Sequence, residues 1–450
     1  MRLKQVCLSC LVVLLICADT AAADIKAGAA RIVITPTQPM WLNGYAGRET
    51  PATGTIHDLW AKALVLQQSS TNRVVFVTTD LLGLSHEVVE AVFKAVAAKY
   101  SITRAQLIMN ASHTHSGPVV WPCLDVIHDF STADQATVAG YSHTLTQNII
   151  KVIDSAMANL VPAKLYSGHG SAGFAINRRN LRDHNSNGST DHDVPVLKVT
   201  AQSGTLLAVL FGYACHNTTI VDNNYLFNGD YAGFAQIELE KNNPGAVALF
   251  LMGCGADQNP EPRGTAALAM KYGNELANAV QQVMAGTMKP LPASIQTGYA
   301  NTVLKFQPFE PDRYQKDITG SNKFFQRRAQ LMLEAYNKGW DVSSFQYPMQ
   351  AVRFGKDFSI LALGGEVVVD YSLKTKQAFA GEDIFVAGYC NVVTCYIPSE
   401  RVLKEGGYEA DESMVYYGMP GPFAGDVEKR IFAGIRQVLK ALGLKPAAAK

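Results

Sequence analysis

Leu107-Ile108-Met109-Asn110-Ala111-Ser112-His113-Thr114-His115-Ser116-Gly117-Pro118 is the stretch on which the reading of this chain turns. A short apolar run with the length of a buried strand stops abruptly and gives way to two histidines, then to the turn formers Gly and Pro. The same pattern recurs three times. The run 207–211 leads to Cys215-His216-Asn217, the run 247–251 to Gly255-Ala256-Asp257-Gln258-Asn259-Pro260, and the run 360–363 to Gly364-Gly365-Glu366. Strands buried on both faces read as unbroken apolar runs, and in open α/β sheets ligands bind beyond the carboxyl ends of the strands. His113, His216, Asp257 and Glu366 are therefore predicted to point toward one sheet edge.

The rest of the chain supports that class. Helical periodicity covers 86–100, 135–158, 231–242, 265–284, 323–338 and 427–442, and the run 74–77 ends at Thr79-Asp80 as a further strand. Helices alternating with buried strands predict an α/β fold: a mixed, largely parallel sheet flanked by helices, with a site at the C-terminal ends of strands. Segments 182–193 and 307–312 read as loops, not interdomain linkers, so one domain is expected over 24–450. The less regular stretch 290–358 is expected to cover one side of the site. There is no internal repeat or low-complexity tract.

Arg2 and Lys4, the apolar stretch 11–18 and Ala21-Ala22-Ala23 read as a signal peptide over 1–23, cleaved before Asp24 and sending the chain to the periplasm or outside. No later apolar stretch has transmembrane length. The formal charge of +1 falls near zero once Arg2, Lys4 and Asp19 are removed, so nothing points to nucleic acid. Five cysteines follow the cleavage point: Cys123, Cys215, Cys254, Cys390 and Cys395. Pairings Cys390–Cys395 and Cys215–Cys254 are open, and so is a set of five buried thiols. No CxxC spacing exists, which speaks against a structural zinc–thiolate site.

His113 and His115 are two residues apart. On an extended segment they share a face, so one can bind metal while the other touches substrate. Two histidines with a carboxylate form a usual ligand set for a catalytic zinc that keeps an open position.

With these motifs in order, the chain resembles the neutral/alkaline (non-lysosomal) ceramidases in their N-terminal catalytic part. Asn-Ala-Ser-His113-Thr-His115-Ser-Gly-Pro looks like the corresponding stretch of that family. Asn177-Arg178 resembles its Asn-Arg motif, Cys215-His216-Asn217-Thr218-Thr219 its Val-His-Gly-Thr segment, and Asn228-Gly229-Asp230-Tyr231-Ala232-Gly233-Phe234-Ala235 its Gly-Asp-x-x-Gly-Tyr-Ala helix start. Gly365-Glu366 matches its Gly-Glu, and Tyr396 and Tyr408 fit its spaced tyrosine pair. The resemblance implies zinc held by His113, His216, Glu366 and Tyr396. It implies that His115, Arg178 and Tyr408 contact the scissile amide or its oxyanion. Arg179 adjoins Arg178, and the sequence leaves open which of the two faces the site.

Two departures refine the expectation. The family carries Gly-Asp-Val-Ser-Pro-Asn, whereas here Asp257 and Pro260 match and Asn259 stands at the serine. An amide side chain cannot act as a serine-type nucleophile, although it can donate a hydrogen bond to an oxyanion. Asp257 and Asn259 therefore join the candidate catalytic residues, and metal-activated water is the expected nucleophile. The family's additional C-terminal immunoglobulin-like domain has no counterpart in the sequence, so residues 24–450 are expected to be a single catalytic domain. The implied function is that of an exported zinc hydrolase cleaving an N-acyl amide of a small-molecule or lipid substrate. A zinc esterase or lactonase, a carbohydrate de-N-acylase and a non-catalytic ligand-binding homologue are the alternatives.

Overall fold

The structure, a computed structural model, describes residues 25–182 and 187–447. The predicted signal peptide lies outside the described residues. Twelve principal strands build two sheets. The first sheet contains β1 (Lys26–Val33), β2 (Trp60–Gln67), β3 (Arg73–Thr79), β4 (Leu107–Ala111), β5 (Val161–Ser171), β6 (Asp193–Ala201), β7 (Leu206–Tyr213) and β8 (Val247–Met252). Their spatial order is β8-β7-β6-β5-β1-β2-β3-β4, with a short strand, Lys289–Leu291, added against β5. The second sheet runs in the order β9 (Ile295–Lys305), β10 (Ser344–Phe354), β11 (Phe358–Leu363) and β12 (Ile384–Ala387).

The sheets stack face to face with helices on both outer surfaces, giving four layers. Between the sheets lies a dry core in which Leu64, Phe76, Leu210 and Leu249 of the first meet Val352, Phe354, Ile360 and Phe385 of the second. Helices α1 (His86–Tyr100) and α2 (Thr132–Ala158) cover the outer face of β2–β4, burying Val88, Val92, Val96, Leu145, Ile149 and Val152. This is helical spacing, and α1 starts where the Ser85 side chain accepts from the Val88 N–H. Helices α3 (Asp230–Asn242) and α4 (Ala266–Ala285) cover β6–β8. On the far side, α7 (Val427–Ala441) lays Ile431, Ile435 and Val438 on the second sheet. Between β9 and β10 a helical hairpin, α5 (Pro311–Ile318) and α6 (Lys323–Asn337), has a small core of its own around Tyr314, Ala329 and Leu333.

The mixed α/β class forms as expected, but antiparallel pairing is more extensive than the apolar runs suggest. Parallel pairs among the principal strands are β3–β4, β7–β8 and β11–β12; the others are antiparallel. The physical reason is the four-layer stack. Strands β2, β3 and β6 are buried on both faces although they pair antiparallel, so they lose the apolar–polar alternation that usually marks such strands, whereas β5 and β1 keep exposed positions. The stretch 290–358 is also more regular than its sequence suggests, since β9 and β10 pair along their whole length. All five described cysteines are buried, and neither Cys390–Cys395 nor Cys215–Cys254 is paired. No described helix is long and apolar enough to cross a membrane.

Candidate metal centre and catalytic cleft

The three parallel pairs end side by side, and each end delivers one part of a cluster. After β4 the chain turns at His113, whose φ is 63° and whose N–H donates to the Leu81 carbonyl at 2.9 Å. After β7 comes His216, with its N–H on the Gln258 carbonyl at 3.0 Å. After β11 comes Gly364-Gly365-Glu366. Gly365 has φ of 75°, and a Cβ there would lie 2.8 Å from the Cys395 carbonyl oxygen, so only glycine makes this turn. Glu366 then pairs in register with Tyr396 on a short parallel ladder, which places the two side by side.

The imidazoles are oriented from behind. His113 Nδ1 lies 2.7 Å from the Leu82 carbonyl, and His216 Nδ1 lies 2.7 Å from that of Gly255. A carbonyl can only accept, so each Nδ1 carries a proton and each ring turns its Nε2 inward. Glu366 Oε2 sits 3.1 Å from His113 Nε2 and 3.2 Å from His216 Nε2. The Tyr396 hydroxyl is 3.2 Å from His216 Nε2. All four side chains are buried. Burial, with the nearby Arg178 charge, holds the His216 imidazole down to about 4, against the pull of Glu366. Burial alone would raise the Glu366 carboxyl, but His113 and His216 outweigh it and hold it well below the ordinary range.

Two imidazole nitrogens and a carboxylate oxygen thus converge in a buried site, an arrangement that can hold a metal ion. With the Tyr396 hydroxyl as a fourth corner, three of the six edges, at 3.1–3.2 Å, are close to the about 3.3 Å edge of a tetrahedral shell with bonds of about 2.0–2.1 Å. His113, His216, Glu366 and Tyr396 are thus placed where they could hold a metal ion. The nitrogens of His113, His115 and His216 also lie within 4.8 Å of one another, so His115 is within reach of the same ion.

His115 stands beside this cluster. Its Nε2 is 3.2 Å from His113 Nε2, and its buried Nδ1 has no partner. The ring is wedged between Tyr45, at a centroid distance of 4.8 Å, and Gly44, where any Cβ would meet the imidazole at 2.6 Å. Burial, then the charges of His113 and His216, push its pKa well below the usual histidine value.

Arg178, not Arg179, reaches the cluster. Its Nη2 donates to the Tyr396 hydroxyl at 3.1 Å and its Nη1 to Asn259 Oδ1 at 3.4 Å, while its Nε is held by Glu409 at 2.7 Å. Arg179 turns away to Glu405, Glu409 and the Gly406 carbonyl. Tyr408 lines the cleft and meets Tyr396 edge to face at 5.4 Å. Asn259 and Arg178 come together because strand Gln258–Pro260 pairs antiparallel with Ala175–Asn177. Asp257 plays a different part. Its carboxylate accepts from Asn177, Gln258 and the Val369 N–H, and its carbonyl accepts from the Arg178 N–H at 2.9 Å. It braces the segments around the cleft and, like Arg178 and Asn259, does not itself line the cavity.

Three contributors escaped the sequence reading. Tyr417 donates a short hydrogen bond to Glu366 Oε1, Tyr389 donates to Glu366 Oε2 at 3.4 Å, and Glu409 anchors both arginines. Glu409 adjoins Tyr408, which was a usable signal. For Tyr389 and Tyr417 there was none, because each is one tyrosine among many near strand ends.

A family model described as neutral/alkaline non-lysosomal ceramidase, N-terminal, matches residues 26–298. The chain belongs to that family. It is 26% identical over 224 residues to the neutral ceramidase of Pseudomonas aeruginosa, covering 46% of this chain and 32% of that protein. It is likewise 26% identical over 246 residues to neutral ceramidase B of Dictyostelium discoideum, covering 50% and 33%. The matched segments thus span about a third of the curated relatives' length. The crystal structure of the Pseudomonas aeruginosa neutral ceramidase superposes with a TM-score of 0.73 at 18% identity, covering 95% of this chain and 76% of that one, so the fold is shared with the ceramidases.

Proposed function

We propose that this ceramidase-family chain is an exported zinc-dependent hydrolase of N-acyl amides, carried by one catalytic domain. The observation that carries the reading is the convergence of His113 Nε2, His216 Nε2, Glu366 Oε2 and the Tyr396 hydroxyl with edges of 3.1–3.2 Å. A zinc ion held there would supply Lewis acidity, polarising a carbonyl and lowering the pKa of water to roughly 7.

The remaining steps fall to the chain's own groups. His115 is neutral through burial, so its Nε2, beside the ligand cluster, can take a proton from the attacking water and return it to the leaving amine. Arg178 stays charged and holds the Tyr396 oxygen. With Tyr408, which lines the cleft, and Asn259, whose Oδ1 it holds, it can help to stabilise the oxyanion. Asn259 cannot form an acyl-enzyme, so attack by water in a single displacement is the consistent course.

The test is turnover of a panel of acyl amides and esters by purified protein, before and after chelation and with zinc restored. Amide hydrolysis that chelation abolishes and zinc restores is expected, without burst kinetics. Ester cleavage without amide cleavage would move the assignment to an esterase. Full activity after complete metal removal, or an acyl adduct trapped on a side chain, would refute the mechanism.

A further inference from the structure

The three histidines of the cluster are oriented in two different ways. His113 and His216 are each held by a hydrogen bond from Nδ1 to a backbone carbonyl. The His115 ring has no such tether. Its Nδ1 is buried without a hydrogen-bond partner among the described residues, and its Nε2 faces His113 Nε2 at 3.2 Å. The ring is therefore aimed by its own backbone and by what packs against it, and both lead to one side chain, Arg48.

Arg48 lies on the loop between β1 and β2 and is 5% exposed. Its Nη1 donates to the His115 carbonyl at 2.6 Å and to the Asn43 carbonyl at 2.9 Å, and its Nη2 donates to the Asn224 carbonyl at 3.2 Å. One guanidinium thus ties together three loops, those before β2, after β4 and before α3. Its Cζ lies 4.9 Å from the centroid of the Tyr45 ring, and that ring packs on the His115 imidazole at 4.8 Å. The bond to the Asn43 carbonyl also closes the turn that carries Gly44, whose N–H donates to Asn43 Oδ1 at 2.9 Å and which leaves no room for a Cβ beside the imidazole.

These bonds all go to backbone carbonyls and none to a carboxylate. Burial lowers the Arg48 pKa to about 10, which leaves the group charged at neutral pH. Burying a cation in this way is costly. Arginine alone among side chains presents five donors in one fixed plane, and so can hold carbonyls of several segments at once.

We propose that Arg48 is a positioning residue that fixes His115 beside the metal-ligand cluster, directly through the His115 carbonyl and indirectly through the Tyr45 ring. Its effect on the reaction rests on the reading of His115 as the proton-transfer group. Two measurements test the proposal separately. The first is the crystal structure of zinc-loaded Arg48→Met, which keeps much of the bulk and loses every donor. The His115 ring should shift by about 1 Å or more, or take a second conformer, with zinc retained.

The second is a double-mutant cycle on amide turnover. Arg48→Met alone should lose about 10²-fold in kcat, the scale of a 1 Å misplacement, with KM within about twofold. Added to His115→Ala it should cost less than about twofold more, because the group it positions is gone. Damage to the loop with no bearing on His115 would lower both backgrounds alike. Arg48→Lys keeps the charge without the fork and should show the same pattern at smaller size. It replaces Arg48→Met in both measurements if the methionine variant does not fold.

An unmoved His115 ring, loss of zinc from the variant, or an equal loss of rate in both backgrounds would each overturn the proposal. Full activity of His115→Ala, or no amide turnover by the unaltered protein, would refute the reading of the reaction instead. The position of the ring would then decide the clamp alone: displaced, it supports the clamp; unmoved, it overturns it.

Discussion

Two histidine–carboxylate clusters in this molecule look alike on paper and differ in kind. His169 on β5 lies between two acids, with Nδ1 2.8 Å from Asp193 and Nε2 2.9 Å from Asp383. Both ring nitrogens face carboxylates, so the cluster is completed by a proton. Burial opposes the charge but is outweighed by Asp193 and Asp383, and the imidazole is raised to about 10. At His113 and His216 each Nδ1 faces a backbone carbonyl, and only Nε2 faces Glu366. Those rings donate to backbone carbonyls on one side and turn Nε2 to one shared carboxylate on the other. The partner of the second nitrogen therefore decides whether a histidine becomes half of an ion pair or a metal ligand.

The largest expected effect breaks the second cluster outright. The double change His113→Ala with His216→Ala removes two lone pairs of the set, and bound zinc should fall from about one per chain to near zero. Elemental analysis checks this, and the equivalent loss of His169 should leave metal content intact. Next is His115→Ala, which should retain zinc and the fold and lose ~10²–10⁴-fold in rate, as expected for removal of a proton-transfer group. Purification without zinc would make His115 a ligand and remove Tyr396 from the proposed shell first.

Tyr417→Phe is a smaller perturbation. It deletes the hydroxyl that holds Glu366 Oε1 while keeping the ring in place. Zinc affinity, measured by competition with a chelator, should weaken about 10–100-fold. An unchanged affinity would mean that Glu366 is positioned by its backbone ladder alone.

The smallest effect concerns His169 and stability. Its pKa is raised on folding, so its contribution is complete below about pH 6.5, the ordinary value, and is lost as pH rises through about 10. Chemical unfolding between pH 6 and 10.5 should show stability falling with pH in the unaltered protein, with a shallower fall in His169→Gln. Equal slopes would show that the Asp193–His169–Asp383 bridge carries no proton-linked stability.

The sequence disclosed the parts of this comparison that depend on order along the chain. His113, His216 and Glu366 could be read because each follows a fully buried parallel strand, and α1 and α7 could be read because their apolar residues recur at helical spacing. Tyr396 and Arg178 entered only by resemblance, since nothing local announces a tyrosine paired in register with Glu366. What stayed hidden depends on partners distant in sequence. β9 is half exposed and β10 is separated from it by a helical hairpin, so their pairing had no local signature. The contrast between His169 and His216 was equally invisible, because it lies in which carbonyl or carboxylate meets Nδ1 across the fold.

The central claim is that the lone pairs of His113, His216 and Glu366, with the Tyr396 oxygen, surround one metal ion. Anomalous scattering at the zinc edge from crystals of the purified protein tests it most directly. A single strong peak is expected about 2.0–2.1 Å from His113 Nε2 and His216 Nε2, with Glu366 and Tyr396 completing the shell and no peak at His169. A zinc-loaded crystal with no peak among these four residues, or with its peak between Asp193 and Asp383, would contradict it.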